Sequence, residues 1–281
     1  MSLKQNEIGL KTFMSRFHPL SSTVKQIASL PFYWIDLMNA NEAIALLQPY
    51  SSCDISDALH RLPSSDFGQL TDIHLISPSP LTHPDTRICG PAFTVEFVKS
   101  HAITTSTTSK LHHMDRVPEN SVVVIKAPSG PNAVFGGLMA ARAMALGVKA
   151  VVVHGRVRDR KELAEYGSSL PVFANGFSTL GASPFMKVGS SDHIGDGVGG
   201  SVTVPGYDSS DIGYPAVVVA TGDLIVADID GVVRVPICHV MQIAQICKQL
   251  VTADAHCMND IKTGRSLTDA FAEHRKRPLQ Q

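Results

Sequence analysis

The stretch from Val122 to Val153 constrains the fold more than any other part of the sequence. Val122-Val123-Val124-Ile125 is an unbroken apolar, β-branched run that reads as a buried strand, and Ala127-Pro128-Ser129-Gly130-Pro131-Asn132 is a turn cluster. Gly136 to Leu146 is rich in strong helix formers and stops at Gly147, before a second apolar run at Ala150-Val151-Val152-Val153. Strand, loop, helix and strand in that order make a βαβ unit. The crossover sets the two strands parallel and puts both carboxyl ends on one edge of the sheet, where open α/β sheets bind ligands. Two segments meet on that edge: the helix start at Gly136, and Gly155-Arg156-Val157-Arg158-Asp159 directly after the second strand. The expected fold class is therefore α/β.

With 44% hydrophobic and 17% charged residues, the 281-residue chain has enough apolar side chains for a sizeable core. The formal net charge of -1 supplies no field to hold nucleic acid or an anionic membrane, so neither is an expected partner. No apolar run reaches the length of a membrane helix, and the start MSLKQNEIGLKTF lacks a secretion pattern, so a cytoplasmic protein is expected. Five cysteines (Cys53, Cys89, Cys238, Cys247, Cys257) form no C-x-x-C pair and suit a reducing compartment.

Around this unit the pattern predicts an N-terminal helical arm over residues 1–49, an α/β domain over 50–252 and a C-terminal tail over 253–281, with a helical arm expected at the C-terminal as well as the N-terminal end. Apolar residues from Ser22 to Leu47 have helical spacing, broken near Pro31. Ser52-Cys53-Asp54-Ile55-Ser56-Asp57-Ala58-Leu59 reads as a capped helix start. Phe93, Val95 and Phe97 alternate with Thr94, Glu96 and Val98, as in a half-buried strand. Residues 176–213 are rich in Gly, Ser and Asp and read as a long loop over a site or an interface. The apolar runs at 216–219, 224–227 and 232–235 read as antiparallel hairpins, followed by an amphipathic helix from Ile237 to Val251. His274-Arg275-Lys276-Arg277 reads as a solvated end.

Chemistry is sparse. With no side chain at Gly136 and Gly137, an anion can approach the free N–H groups of residues 136–139, Leu138 and Met139 included; a tight helix contact explains the same glycines. Arg158 offers a planar fork to a carboxylate, and Asp159 a hard oxygen ligand to Mg²⁺ or Mn²⁺. Taken alone, the pair reads first as a surface ion pair or a helix cap. His112, His113 and His154 have no partner at metal-ligand spacing and read as loop or core residues. A hydrolase elbow, a nicotinamide fingerprint and a thiol enzyme's Cys–His pairing are all absent.

Three ordered segments carry a resemblance: SSCDISDAL, the run from Pro118 to Phe173 with its GGLMAARA and GRVRD, and TGDLIVADIDGVVRVP. Together they resemble the RraA-like / 4-hydroxy-4-methyl-2-oxoglutarate aldolase family. The resemblance implies an α/β/β sandwich, a homotrimer or homohexamer with its site near a subunit interface, and a small 2-oxo acid as substrate. It further implies Asp159 as the protein ligand of a divalent metal, Mg²⁺ or Mn²⁺. Arg158 becomes the clamp on the substrate carboxylate, and Gly136, Gly137, Leu138 and Met139 become the backbone cradle. The implied reaction is retro-aldol cleavage of a 4-hydroxy-2-oxo acid or decarboxylation of oxaloacetate. A diverged enzyme on a larger metabolite and a regulator that binds a protein are the other outcomes the family allows. Where the aldolases commonly carry Asp or Glu, this chain has Gly137.

Overall fold

The computed structural model of the chain describes residues 39–62, 67–102, 111–191, 196–207 and 213–275. Most of the predicted helical region from Ser22 lies outside these residues; its described part is helix α1 (Ala40–Leu47). Helix α2 (Ser52–Leu59) starts as predicted, with Ser51 as N-cap. The Ser51 hydroxyl accepts from Asp54 N, and the Asp54 carboxylate accepts from Ser51 N at 2.8 Å, a closed capping box.

Strands β1 (His74–Ser77), β2 (Ile88–Lys99), β3 (Val122–Lys126) and β4 (Ala133–Phe135) precede helix α3 (Gly137–Ala145) and strand β5 (Ala150–Val157). Helix α4 (Arg160–Tyr166) leads to β6 (Val172–Phe177) and β7 (Met186–Val188). Strands β8 (Ser201–Val204), β9 (Val217–Ala220), β10 (Leu224–Asp228) and β11 (Gly231–Val235) follow, and helices α5 (Val240–Lys262) and α6 (Leu267–His274) end the described chain. The main sheet runs β1-β6-β5-β3-β2-β10-β11, with β4 added beside β5 and β7 beside β2. Strands β2, β3, β5 and β6 are mutually parallel, which places the predicted βαβ unit at the centre of the sheet.

Each face of this sheet is covered, and the covers differ. One face packs Val123, Ile125, Val151 and Val153 with Ala140 and Ala143 of α3 and Leu163 of α4. The other packs Val122, Val124, Ala150 and Val152 with Val202, Val204, Val217 and Val219 of the β8–β9 hairpin. The result is an α/β/β sandwich. It also corrects two expectations. Strand β2 is buried on both faces instead of one, because the hairpin covers the side predicted to face solvent. Strand β9 pairs with β8 from the predicted long loop, so the predicted run of hairpins is reduced to β10–β11.

The sheet nearly closes on itself. Residues 68–70 run along β11 before the chain enters β1 at the opposite edge: Arg234 N donates to Gly68 O at 2.7 Å and Leu70 N to Val232 O at 2.8 Å. A Cβ at Gly68 would stand 2.3 Å from the Arg234 carbonyl oxygen, so only glycine permits this approach.

Helices α1 and α2 pack on α5, burying Ala43, Leu47, Ile55, Ala58 and Leu59 with Val240, Ile243 and Cys247. Residues beyond 253 continue α5 and form α6, the expected helical C-terminal arm. His274 is tied to Asp260 at 2.9 Å and the exposed Arg275 to Asp254 at 2.6 Å, while Lys276 and Arg277 of the predicted solvated end lie outside the described residues. No helix among the described residues is long and apolar enough to cross a membrane.

The first and last sequence motifs are joined at one carboxylate. Asp228, 8% exposed, accepts from Ser52 N at 2.8 Å and Ser52 Oγ at 2.6 Å, and from Asp230 N at 3.1 Å. Removing it strands the buried Ser52 donors. Asp228→Ala should therefore cost about 1.5–3 kcal/mol, the range for hydrogen bonds to a charged group, read as a lower urea midpoint at unchanged slope. A shift within error would show that the carboxylate does not hold α2 to the sheet.

Candidate functional site

The long strand β5 acts as a rail for two successive neighbours. Val122–Lys126 of β3 pair with Ala150–His154, and after the turn cluster β4 takes up the same side, with Ala133 opposite Arg156 and Phe135 opposite Val157. The chain leaving β4 therefore starts α3 beside the residues leaving β5. Arg158 N donates to Phe135 O at 3.0 Å, which fixes that adjacency.

Asp159 lies in the left-handed region, φ 57° and ψ 46°. A non-glycine residue pays for that conformation, Asp less than most, and here it starts α4 while turning the side chain away from that helix. Its Oδ2 accepts instead from Gly137 N at 3.0 Å, so Asp159 caps α3 across the sheet edge. Gly136 is the residue that admits the carboxylate: a Cβ there would lie 2.4 Å from Asp159 Oδ2. Arg158 Nε stands 3.3 Å from the same oxygen, and both side chains are more than one-third exposed, a geometry worth little to stability. Gly181 lets the Arg158 guanidinium lie against the 178–185 turn, since a Cβ there would be 3.0 Å from Nη1. That turn belongs to the predicted long loop and is held by Ala133 N to Leu180 O at 2.8 Å and Asn132 Nδ2 to Gly181 O at 2.7 Å.

The structure thus brings Gly136, Gly137, Leu138, Met139, Arg158 and Asp159 to one edge. Of the backbone N–H groups proposed as a cradle, Gly137 is engaged by Asp159, while Leu138 and Met139 have no partner among the described residues. Leu138 is 90% exposed. The space beside Gly137 is filled from α4: a Cβ there would meet Glu162 Cβ at 3.1 Å and Cγ at 3.3 Å. Sequence reasoning missed Glu162. The three-residue spacing from Asp159 on a short helix was the available signal.

The three histidines lie elsewhere. His113 is packed edge-on to Phe97 and tilted over His112, and burial, with help from His112, pushes its imidazole down to about 4. His154 stands opposite Lys126 on the sheet, and burial, then the Lys126 charge, lower its pKa as well. Among the described residues, no cluster of three or more His, Cys, Asp or Glu is placed to hold a metal. Among the described residues the donors gathered at Asp159 are therefore too few for a closed structural zinc site of four protein ligands, and a hard carboxylate oxygen of this kind fits a Mg²⁺ or Mn²⁺ that keeps several waters.

The family profile described as RraA-like, Aldolase/RraA, matches residues 52–234. The chain belongs to the RraA-like family. This family contains both lyases and RNase inhibitors. Protein DlpA of Legionella pneumophila is 23% identical over 244 residues, covering 85% of this chain and 35% of that protein, so the chain spans about a third of that relative's length. Two solved structures share the fold. An uncharacterised Pseudomonas syringae protein is 23% identical, with TM-score 0.62 and coverage of 82% of this chain and 97% of that one. Streptomyces coelicolor RraAS2, described as an unusual member of the RNase ES inhibitor RraA family, is 22% identical, with TM-score 0.60 and coverage of 81% and 98%.

Two outcomes test this geometry. In Gly136→Ala the added methyl should displace the Asp159 carboxylate and free Gly137 N–H, so hydrogen exchange speeds up in the first turn of α3 while β3 and β5 keep their protection. Unchanged exchange at Gly137 would mean that the contact is not maintained in solution. His113 is the second. Its folded pKa of about 4 lies below the unfolded 6.5, so the folded state binds fewer protons between those values. Stability is full above pH 6.5 and falls as pH drops towards 4, by on the order of 3 kcal/mol. Urea midpoints across that window should lose this slope in His113→Gln.

Proposed function

We propose that the chain is a divalent-metal-dependent carbon–carbon lyase acting on a small 2-oxo acid. The observation that carries this reading is the convergence of Asp159, Arg158 and the open first turn of α3 on the carboxyl edge of the parallel strands. Asp159 would hold Mg²⁺ or Mn²⁺ through the oxygen not engaged by Gly137. A divalent cation there supplies Lewis-acid polarisation of the substrate's keto oxygen, which retro-aldol cleavage and decarboxylation of 2-oxo acids both require. Arg158 binds the carboxylate next to that keto group, with its fork backed by the 178–185 turn. The Leu138 and Met139 N–H groups face the same edge as donors to the developing negative charge.

The two lyase reactions differ in what they ask of the protein. Retro-aldol cleavage needs a base for the C4 hydroxyl proton, whereas loss of CO₂ from oxaloacetate breaks the C3–C4 bond with no prior deprotonation. Gly137 offers no carboxylate and Glu162 is the acidic residue packed beside it, so the aldol branch would need Glu162 as its base, whereas decarboxylation needs none and is the reaction we favour. Exposed Leu138, Phe177, Leu180 and Phe185 favour a protein contact on this part of the molecule, which we assign to a second copy of the chain in a homotrimer or homohexamer. The other reading, a regulator that binds a protein partner, draws on the same surface and on the likeness to RraAS2.

The deciving experiment measures pyruvate release from oxaloacetate and from 4-hydroxy-4-methyl-2-oxoglutarate, with Mg²⁺, Mn²⁺ or chelator. Oxaloacetate should turn over faster, chelator should abolish the reaction, and Asp159→Asn, which keeps a residue tolerant of the left-handed conformation, should lose both turnover and Mn²⁺ binding. Arg158→Ala should lower kcat/KM by about 1.5–3 kcal/mol. Metal-independent or absent turnover would turn attention to the regulator.

A further inference from the structure

Next to the candidate site, but on the other side of α4, lies a cavity of about 240 Å³ lined by Ile76, Ser77 and Ser79 after β1 and by Arg160, Lys161 and Leu163 of α4. No acidic residue lines it. The first turn of α4 supplies two adjacent cations, and neither forms an ion pair among the described residues: Arg160 lies over the Phe177 ring at 4.2 Å, and Lys161 makes no salt bridge with Glu165 one turn on. Asp159, which precedes them, is turned away to Gly137. Of the two hydroxyls, Ser77 donates to Leu163 O at 3.1 Å, while the Ser79 hydroxyl has no partner among the described residues. The volume is below that of a cofactor or drug-sized pocket and fits one small group. Ile76 and Leu163 add apolar lining, while Arg160, Lys161 and Ser79 are themselves exposed.

We propose that this cavity is an anion subsite that takes a carboxylate or phosphate group through Arg160, Lys161 and Ser79. Arg160 and Lys161 directly follow Arg158 and Asp159 in the chain, so the subsite would also seat the distal anionic group of a substrate long enough to reach around α4. That last step rests on the lyase reading; the anion site itself does not.

The test titrates inorganic phosphate and malonate separately into the full chain by calorimetry, in wild type, Arg160→Met, Lys161→Met and Arg158→Ala. Binding of either anion should weaken by about tenfold in each of the first two variants, as expected for one lost charge-assisted hydrogen bond, and the binding component lost there should persist in Arg158→Ala, which removes only the separate carboxylate clamp of the proposed lyase site. Tighter phosphate than malonate would assign the site to a phosphoryl group, and the reverse to a carboxylate. Binding lost in Arg158→Ala but kept in the Arg160 and Lys161 variants, or no binding of either anion, would overturn the proposal. Mn²⁺ affinity, measured in the same variants, should not move, so failure of the anion site is separable from failure of the metal site.

Discussion

The in-register parallel pairing of β5 with β3 and then β4 is the constraint on which the rest depends. Because one strand carries two successive neighbours on the same side, the helix start after β4 and the residues after β5 have to emerge next to each other. Both faces of β5 are apolar core, so alternation does not set this register; the contacts after the strand do, with Arg158 N on Phe135 O and Asp159 on Gly137 N. Asp159 reaches Gly137 through the left-handed turn that starts α4.

Much of this was legible because its signals are local. The unbroken Val/Ile runs, the helix formers from Gly136 and the capped helix start at Ser52–Leu59 act over a few residues, and the structure keeps them, adding Ser51 as the capping residue. Partners separated by a long stretch of chain were not legible. Strand β9 has the pattern of a hairpin neighbour of β10, yet it pairs with β8 because the second sheet offers it a place over Val122 and Val124. Thr94 and Glu96, whose polarity alone points outward, are both buried: the Thr94 hydroxyl donates to Gly200 O at 2.9 Å, and Glu96 is compensated by Lys126 at 3.0 Å and Ser191 N at 2.9 Å.

At the site, the pattern named the right edge, and the structure supplied the division of labour. No spacing rule distinguishes an aspartate that caps its own helix from one that caps a neighbour; the distinction came from a positive φ at Asp159 and a missing Cβ at Gly136. Glu162 and the Arg160–Lys161 pair went unnoticed for a related reason: charged residues in the first turn of a short helix look like ordinary solvated surface until the elements packed beside them are known.

The sheet order has a consequence for how the chain is made. Strand β2 sits between β3, which follows it closely, and β10, which lies at Leu224–Asp228. During synthesis at about 5–20 residues per second, β2 and β3 are complete for seconds before β10 exists to cover the open side. For that interval a long, apolar strand edge is bare, the kind of surface that pairs with whatever strand is near. The nascent chain therefore has to be shielded or kept dilute until Leu224–Asp228 emerges, and assembly of the domain is completed only after most of it has left the ribosome.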